Sequence, residues 1–465
     1  MLRIDVLPDD VLLIIFNFYA VPHRRSKPEI EKWISLVHVC RRWRTVVFGS
    51  PRHLNLRLFC TPETPARVTL DVWPPLPLII DGNISLASSE ENVIVALGRH
   101  DHIHEVDVCE LAGSRLENVL AAMQVPFPKA THLRLAASID GQTLPAVPDS
   151  FLGGIGGYAP GLRYFSLDGI PFLGLSKFLL STTHLVDLHL RIPQSAYIPP
   201  DAMITCLSVL TSLENFTLRS QSFQSLPDSE TQRPPPATCY VLAALTSLRF
   251  EGPHGYLEDL VTRIDAPQLY KFFITFFYQI NFSIPQLIKF ISRTPAFKAP
   301  DEAHAVFERY VARVELTSRT TGRGEFHVQI PIRRPMFQLS CLVQILASSS
   351  YPLFAVENLY IEDRGSSLIM TSHYRVTEWW AFLRSFVAVK NIYLYVTIAI
   401  HIGFSFQALG AGRSMELLPA LQEIFLRPRE YGTLDPSTLV RGPIGQFVAA
   451  RQLLGQTIAI TVSRW

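Results

Sequence analysis

From about residue 100 onward one apolar pattern keeps returning: an apolar residue, two free positions, a second apolar residue, one free position and a third. It runs through Ile103/Val106/Val108, Ala130/Leu133/Leu135, Leu162/Phe165/Leu167, Leu185/Leu188/Leu190 and Leu213/Phe216/Leu218. It continues through Leu245/Leu248/Phe250, Leu269/Phe272/Ile274, Val311/Val314/Leu316, Val356/Leu359/Ile361, Val389/Ile392/Leu394 and Leu421/Ile424/Leu426. The alternating end of each instance predicts a strand buried on one face. Between the strands, three-and-four spacing predicts helices at Leu116/Val119/Leu120/Met123, Leu175/Phe178/Leu179, Leu257/Leu260/Val261/Ile264, Leu287/Ile288/Ile291 and Trp379/Phe382/Leu383/Phe386. One such unit cannot bury its own apolar side, whereas stacked neighbours can.

Strand then helix, with one strand per repeat, resembles the leucine-rich-repeat proteins. The fold class expected is α/β, an irregular leucine-rich-repeat-like αβ solenoid behind a small helical N-terminal module. The repeats depart from that family in two ways. Steps between instances run from 23 to 33 residues, but two, around Leu269 to Val356, are 42 and 45. The position where the family places Asn or Cys holds residues such as Ile170, Pro193, Gln221, Pro253 and Phe277, so there is no asparagine ladder. A doubly wound α/β sheet also alternates strand and helix, and periodicity cannot see strand order.

The N-terminus has a different pattern. Leu7-Pro8-Asp9-Asp10-Val11-Leu12-Leu13-Ile14-Ile15-Phe16 opens a helix that is apolar almost all round to Tyr19, and Val39-Cys40-Arg41-Arg42-Trp43-Arg44 follows. Pro8 suits a helix's first turn, and Asp9 and Asp10 suit the positive end of its dipole. An all-apolar helix must find burial on every side. The two halves together resemble the F-box, the helical module that docks on the Skp-type adaptor of cullin-RING ubiquitin ligases. The stretch Ala20 to Lys32 is longer and more charged than that family's usual connector. The resemblance implies adaptor contacts at Leu7, Pro8, Val11, Leu12, Ile15, Phe16, Val39, Cys40 and Trp43, some of which must instead pack the module internally. The other reading is a helical cap on the repeats. The expected domains are 1–60 (F-box), 61–100 (linker and N-terminal cap), 101–430 (repeats) and 431–465 (C-terminal cap).

Composition narrows the function. Hydrophobic residues are 48% and charged ones 18%, the composition of a folded chain. A net charge of +2 gives no nucleic-acid footprint. The first sixty residues are locally basic, with ten Lys and Arg against five Asp and Glu. The start carries no secretory pattern, and the six cysteines show no CxxC spacing, which points to a reducing cytoplasmic or nuclear setting without cofactor. Ile392 to Phe406 is shorter than the roughly 18 residues of a spanning helix and rich in β-branched residues, so it reads as a buried strand rather than a membrane segment. Thr61 to Pro77 reads as a linker, Leu226 to Thr238 as a polyproline-like loop, Gly153 to Gly157 as a flexible loop, and Thr294 to Asp301 and Ser318 to Arg323 as surface excursions. A helix over Pro436 to Leu454 and a strand over Thr457 to Val462 are expected to close the array.

No nucleophile elbow or phosphate loop is present, so no enzyme activity is expected. His100, His102 and His104 could share a strand face as metal ligands, but they sit at a strand's beginning and read better as a solvated cluster. The ligase resemblance implies a subunit that holds an unknown target protein on the concave sheet face. Residues flanking the core positions supply that face: Arg134, Tyr164, His189, Arg219, Arg249, Phe273, Tyr360, Tyr393, Tyr395 and Phe425. The early ones are basic or polar and the late ones aromatic, and the late rings could serve a partner or lie under a returning loop. A repeat scaffold that recruits no ligase is the second reading.

Overall fold

Alternate residues of a strand point to opposite faces, and the repeated apolar triplet puts its last two members on one of them. The computed structural model describes residues 7–20, 32–51, 54, 56–61, 66–84, 87–138, 144–154, 159–220, 239–277, 283–318, 324–331, 338–347, 352–364, 376–408, 415–427 and 440–462. The chain divides into two units, Met1–Tyr197 and Ile198–Trp465.

In the first unit helices α1 (Asp9–Ala20), α2 (Lys32–Val37) and α3 (Arg41–Gly49) precede a parallel sheet. Its strands are β1 (Leu58–Cys60), β2 (Leu78–Asn83), β3 (Ile103–Leu111), β4 (His132–Ala137), β5 (Tyr164–Asp168) and β6 (Asp187–Ile192), ordered as in the chain. Between them lie α4 (Ala66–Val72), α5 (Ala87–Leu97), α6 (Gly113–Ala122) and α7 (Leu175–Ser181). A doubly wound sheet would reverse its strand order part-way, and here it does not. Strand residues of one parity, such as Leu133, Leu135, Leu188 and Leu190, are buried, while those of the other, such as Arg134 and His189, stay half-exposed. The helices therefore cover one face and leave the other open.

The second unit contains α8 (Pro200–Val209), β7 (Asn215–Ser220), β8 (Tyr240–Val241), β9 (Ser247–Gly252), α9 (His254–Arg263), β10 (Ile264–Asp265), β11 (Lys271–Phe276) and α10 (Pro285–Arg293). Then come β12 (Glu302–Glu308), β13 (Val311–Thr317), β14 (Glu325–Pro331), α11 (Gln338–Ala347), β15 (Asn358–Asp363) and α12 (Val376–Arg384). Last are β16 (Asn391–Tyr395), α13 (Val396–Ala408), β17 (Glu423–Arg427), a helix over Pro443–Leu453 and β18 (Ala459–Val462). The sheet order is β7-β9-β11-β14-β13-β12-β15-β16-β17-β18. All pairings are parallel except β12–β13 and β13–β14.

The first residue of the triplet has its own role. Leu162, Leu185, Leu213, Leu245, Leu269, Val356 and Leu421 are all buried, and each donates its amide to the carbonyl three residues back at 3.0–3.4 Å. This closes a tight turn into the strand. The next amide bonds the preceding repeat, as in Arg163 to Thr131 (2.9 Å), Tyr270 to Thr246 (3.0 Å) and Gln422 to Lys390 (2.8 Å). Backbone thus satisfies backbone at these turns, with no asparagine needed. A carboxylate links repeats as well: Glu258 of α9 accepts the Gln286 and Leu287 amides at the start of α10, at 2.9 and 2.8 Å.

Several expectations are corrected. The triplet at Val311 lies in an antiparallel strand, and Val311 itself is half-exposed. A strand triplet does not record direction, so the two long steps hide an inserted three-stranded meander rather than one long repeat. The sheet begins at Leu58, earlier than the expected start of the array at 101, because β1 pairs with β2 and β2 with β3, all parallel. The Thr61–Pro77 linker contains α4, seven residues that fit between its prolines. Ile392–Phe406 is a strand only to Tyr395 and then turns into α13. There Ile398, Ala399 and Ile402 are buried, so tertiary burial overrides β-branched preference. Thr294–Asp301 is no surface excursion, since Thr294 is buried and Phe297 packs on Phe272 and Phe326. Ser318 is buried too, while residues 319–323, Leu226–Thr238 and 155–157 lie outside the described residues. Gly153 and Gly154 have φ of 87° and 93°, a conformation open to glycine. Of the helix expected over Pro436 to Leu454, residues 436–439 lie outside the described residues and Pro443–Leu453 is helical.

Arg451, on that helix, is fully buried. It donates to the Leu417 and Leu418 carbonyls at 2.6 and 2.7 Å and to Gln456 Oε1, and its guanidinium lies 5.2 Å from the Phe447 ring centre. Leu418 has φ of 48°, so the arginine holds a strained turn at the mouth of β17. Arg451→Ala removes a donor from the Leu417 and Leu418 carbonyls, the second still holding the Leu421 amide, and leaves a cavity, so the expected loss of unfolding free energy is roughly 3–5 kcal/mol. Urea denaturation of the full-length variant checks it, and a loss below about 1 kcal/mol would show that the turn holds itself.

Candidate functional site

Two surfaces concern function: the helices before the first sheet, and the open sheet faces. In α1 the apolar residues divide sharply. Leu12 and Phe16 are fully buried, and the Phe16 ring meets Trp43 of α3 at 4.7 Å. Ile14 (53% exposed), Ile15 (41%), Phe18 (82%) and Tyr19 point outward, with Val39 (59%) beyond α2. The helix keeps one apolar side uncovered by the described residues. Of the nine residues named for the adaptor, Leu12 and Phe16 are interior, and Leu7, Val11 and Trp43 are half-buried. Pro8, Ile15, Val39 and Cys40 are exposed. Cys40 is the N-cap of α3, its Sγ accepting the Trp43 amide at 3.5 Å. Arg42 ties the module together through Asp9 Oδ1 at 2.7 Å and the Leu7 carbonyl. Trp33 lies edge-on to Phe48 and Trp73 at 6.1 and 5.3 Å, and donates Nε1–H to the Arg57 carbonyl at 3.2 Å.

The open face of the first unit is built of rungs one strand apart. Glu105, His132, Tyr164 and Asp187 form one, with the His132 and Tyr164 rings stacked at 3.9 Å. Asp81, Asp107, Arg134, Ser166 and His189 form the next. Arg134 pairs with Asp107 at 3.2 Å, and Arg191 with Asp168 at 3.3 Å. Burial lowers the His132 and His104 pKa values. The basic character expected of these early positions is therefore cancelled in place, since a carboxylate one strand away meets each of these arginines.

In the second unit one rung runs across the whole sheet: Thr217, Arg249, Phe273, His327, Glu315, His304, Tyr360, Tyr393, Phe425 and Thr461 are successive register partners. Phe273 stacks on His327 at 4.5 Å. His304, Tyr360, Tyr393 and Phe425 stack in series at 4.2, 4.2 and 4.5 Å, within 7° of parallel. Strands lie about 4.8 Å apart, so rings at matching positions fall into stacking distance. Glu315 sits between the two stacks, 3.4 Å from His327 Nδ1 and 2.8 Å from Arg313 Nε. The hydrogen bond from His327 is the main cause that lowers the Glu315 pKa, ahead of the opposing effect of burial. Arg219 pairs with Glu251 at 3.6 Å, whereas Arg249 is exposed and has no ion pair among the described residues. Tyr395 carries Arg427 over its ring at 5.2 Å.

The ten residues named for the open face all lie on it. The question left open for the late rings is resolved in an intermediate way: they are half-exposed, with Tyr360, Tyr393 and Phe425 stacked face to face and Arg427 over Tyr395. The sequence did not single out His304, Glu315, His327, Asp107 or His132, although the alternation that marked their neighbours could have found them. The histidine run does not form a common face. His102 turns to Asp101 at 3.3 Å, and His100 lies edge-on to Phe127 at 6.3 Å. Among the described residues no group of three His, Cys, Asp or Glu side chains is placed to hold a metal, and no helix is long and apolar enough to cross a membrane.

No protein-family model matches the chain, and no curated protein matches it. Among solved structures it is similar to the leucine-rich-repeat-containing protein LegL7 from Legionella pneumophila, at 13% identity over 85% of this chain and 97% of that one, with a TM-score of 0.28. A superposition that loose carries no weight, and the fold rests on its own strand order.

Two outcomes follow for the open faces. Tyr393→Ala and Phe425→Ala each remove a half-exposed stacked ring, so each should cost about 1–2 kcal/mol, short of the roughly 3–5 of a core aromatic. Denaturant titration separates the two ranges. As pH falls below the ordinary imidazole value of 6.5, the unfolded chain takes up protons that the half-buried His132 and His104 resist, and stability declines. Glu315 contributes stability above the ordinary carboxylate value of 4.5, and that contribution is lost as pH falls through its lowered folded value. His132→Phe keeps the stack on Tyr164, and should flatten the upper limb of the stability–pH curve without changing the lower one.

Proposed function

We propose that this chain is the target-recognition subunit of a Skp–cullin–F-box ubiquitin ligase. In this reading α1 to α3 bind a Skp-type adaptor, and the open sheet faces hold a target protein. The subunit performs no bond chemistry; it raises the effective concentration of the target's lysines near the charged conjugating enzyme. One observation carries the adaptor half: α1 buries Leu12 and Phe16 yet leaves Ile14, Ile15 and Phe18 in solvent, within the stretch that resembles the F-box. Monomers seldom leave such a helix side bare without a partner for it. A leucine-rich-repeat-like solenoid, as the sequential strand–helix order suggests, would give the target an extended surface.

A repeat scaffold that recruits no ligase is the second reading. What favours it is the aromatic join of Trp33 and Phe48 with Trp73, by which α2 and α3 cover the start of the repeats as a cap would. Adaptor capture decides between them. Ile15→Asp combined with Val39→Asp puts charge on the uncovered side without touching Leu12 or Phe16. Retention of purified Skp-type adaptor on the immobilised full-length protein should fall at least about tenfold, because each charge would have to be buried unpaired. Thermal unfolding should stay within a few degrees of the parent. Undiminished capture, or no capture by the parent, favours the scaffold.

A further inference from the structure

The open face of the second unit changes sign along the sheet. On β7, β9 and β11 its charged positions are Arg219, Arg249 and Lys271 against Glu251. From β14 to β17 they are Glu302, Glu308, Glu315, Glu325, Glu362 and Glu423. Three arginines stand against these six: Arg313, Arg364 and Arg427. With the histidines neutral, the late half carries an excess of three negative charges beside the stacked rings.

Each of those three arginines is held by a neighbour on the face itself. Arg313 and Arg364 sit on carboxylates, Glu315 and Glu362, at 2.8 Å each. Arg427 lies over a ring, Tyr395, at 5.2 Å. The surface therefore already retains guanidinium groups by acid and by ring. Two half-buried carboxylates, Glu325 and Glu423, have no ion pair among the described residues. They flank the row of ring edges, one beside His327 and the other beside Phe425 in the rung two residues earlier.

We infer that the late half of this face is the docking surface for a basic, arginine-bearing extended segment of a partner protein. The inference rests on the reading of the open faces as the target surface and adds the chemical class of what is bound. Nucleic acid and acidic segments are repelled there by the sign of the charge. The stacked rings supply a rigid apolar strip that loses little freedom on binding, and Glu325 and Glu423 supply the charge partners.

The test uses the full-length protein and two fluorescein-labelled synthetic nonapeptides of equal tyrosine, leucine and serine content, one with four arginines and the other with four glutamates. In fluorescence anisotropy the arginine peptide should bind at least about tenfold tighter, and weaken several-fold as salt rises from about 50 to about 300 mM. Glu325→Gln combined with Glu423→Gln should weaken it roughly fivefold with unfolding unchanged, and the double Lys variant should weaken it further. Equal binding of the two peptides, or arginine-peptide binding indifferent to both double variants, would overturn the inference. The broader reading is tested separately by Tyr393→Lys, scored by loss of proteins co-purifying with the full-length chain. If that loss occurs while the arginine peptide shows no preference, the surface stands and the basic class falls. If neither occurs, both fall.

Discussion

A strand with a helix behind it has one apolar side, and the only dry surface available to that side is the next strand and helix. Everything else in this chain follows from that constraint. The second and third residues of each triplet are buried, and in most of the parallel strands the first closes the turn into the strand. Phe165, Phe216, Phe250, Phe272 and Phe326 are all essentially inaccessible. Each such ring is worth about 1.5–3 kcal/mol of burial, and each needs its neighbours on both sides to obtain it. The turn amides that bond the preceding repeat make the same demand on the backbone. Stability is therefore held between neighbours rather than within any one repeat.

Each unit has its own vulnerable places. At the start of the first unit the Trp33, Phe48 and Trp73 rings close over the repeats. Near the end of the second, Arg451 fills the comparable place with a charge, tolerated because carbonyls, Gln456 and the Phe447 ring surround the guanidinium. Inside the second unit β12 to β14 break the one-strand rule. The meander survives because β14 and β12 present parallel edges to β11 and β15, so the flanking repeats meet the partners that they would have met anyway.

The open faces follow the sheet's own spacing. Side chains at matching register positions meet every strand, so many opposite charges pair and planar rings stack. That economy explains why a face with many arginines is not a basic patch, and why its aromatics are neither core nor free. It also leaves the face stiff, which favours recognition of an extended segment over accommodation of a bulky one.

The apolar triplets by themselves determined which residues are buried, where most strands lie and which side chains share the open face, because period-two alternation is a local property of the chain. Strand direction and neighbours were not legible: the Val311 triplet looks like its fellows, and only pairing shows that it runs the other way. The same holds for Ile398 and Ile402, whose branched side chains favour a strand locally but lie buried in a helix. In α1 an unbroken apolar run concealed which side packs, since a helix without a polar stripe carries no sign of its orientation. Contact with Trp43 holds Phe16 in the interior, with Leu12 buried one turn before it. Glu315 between its two histidines was invisible for a related reason: the three come from three strands, the middle one antiparallel to the other two, and only the folded register brings them together.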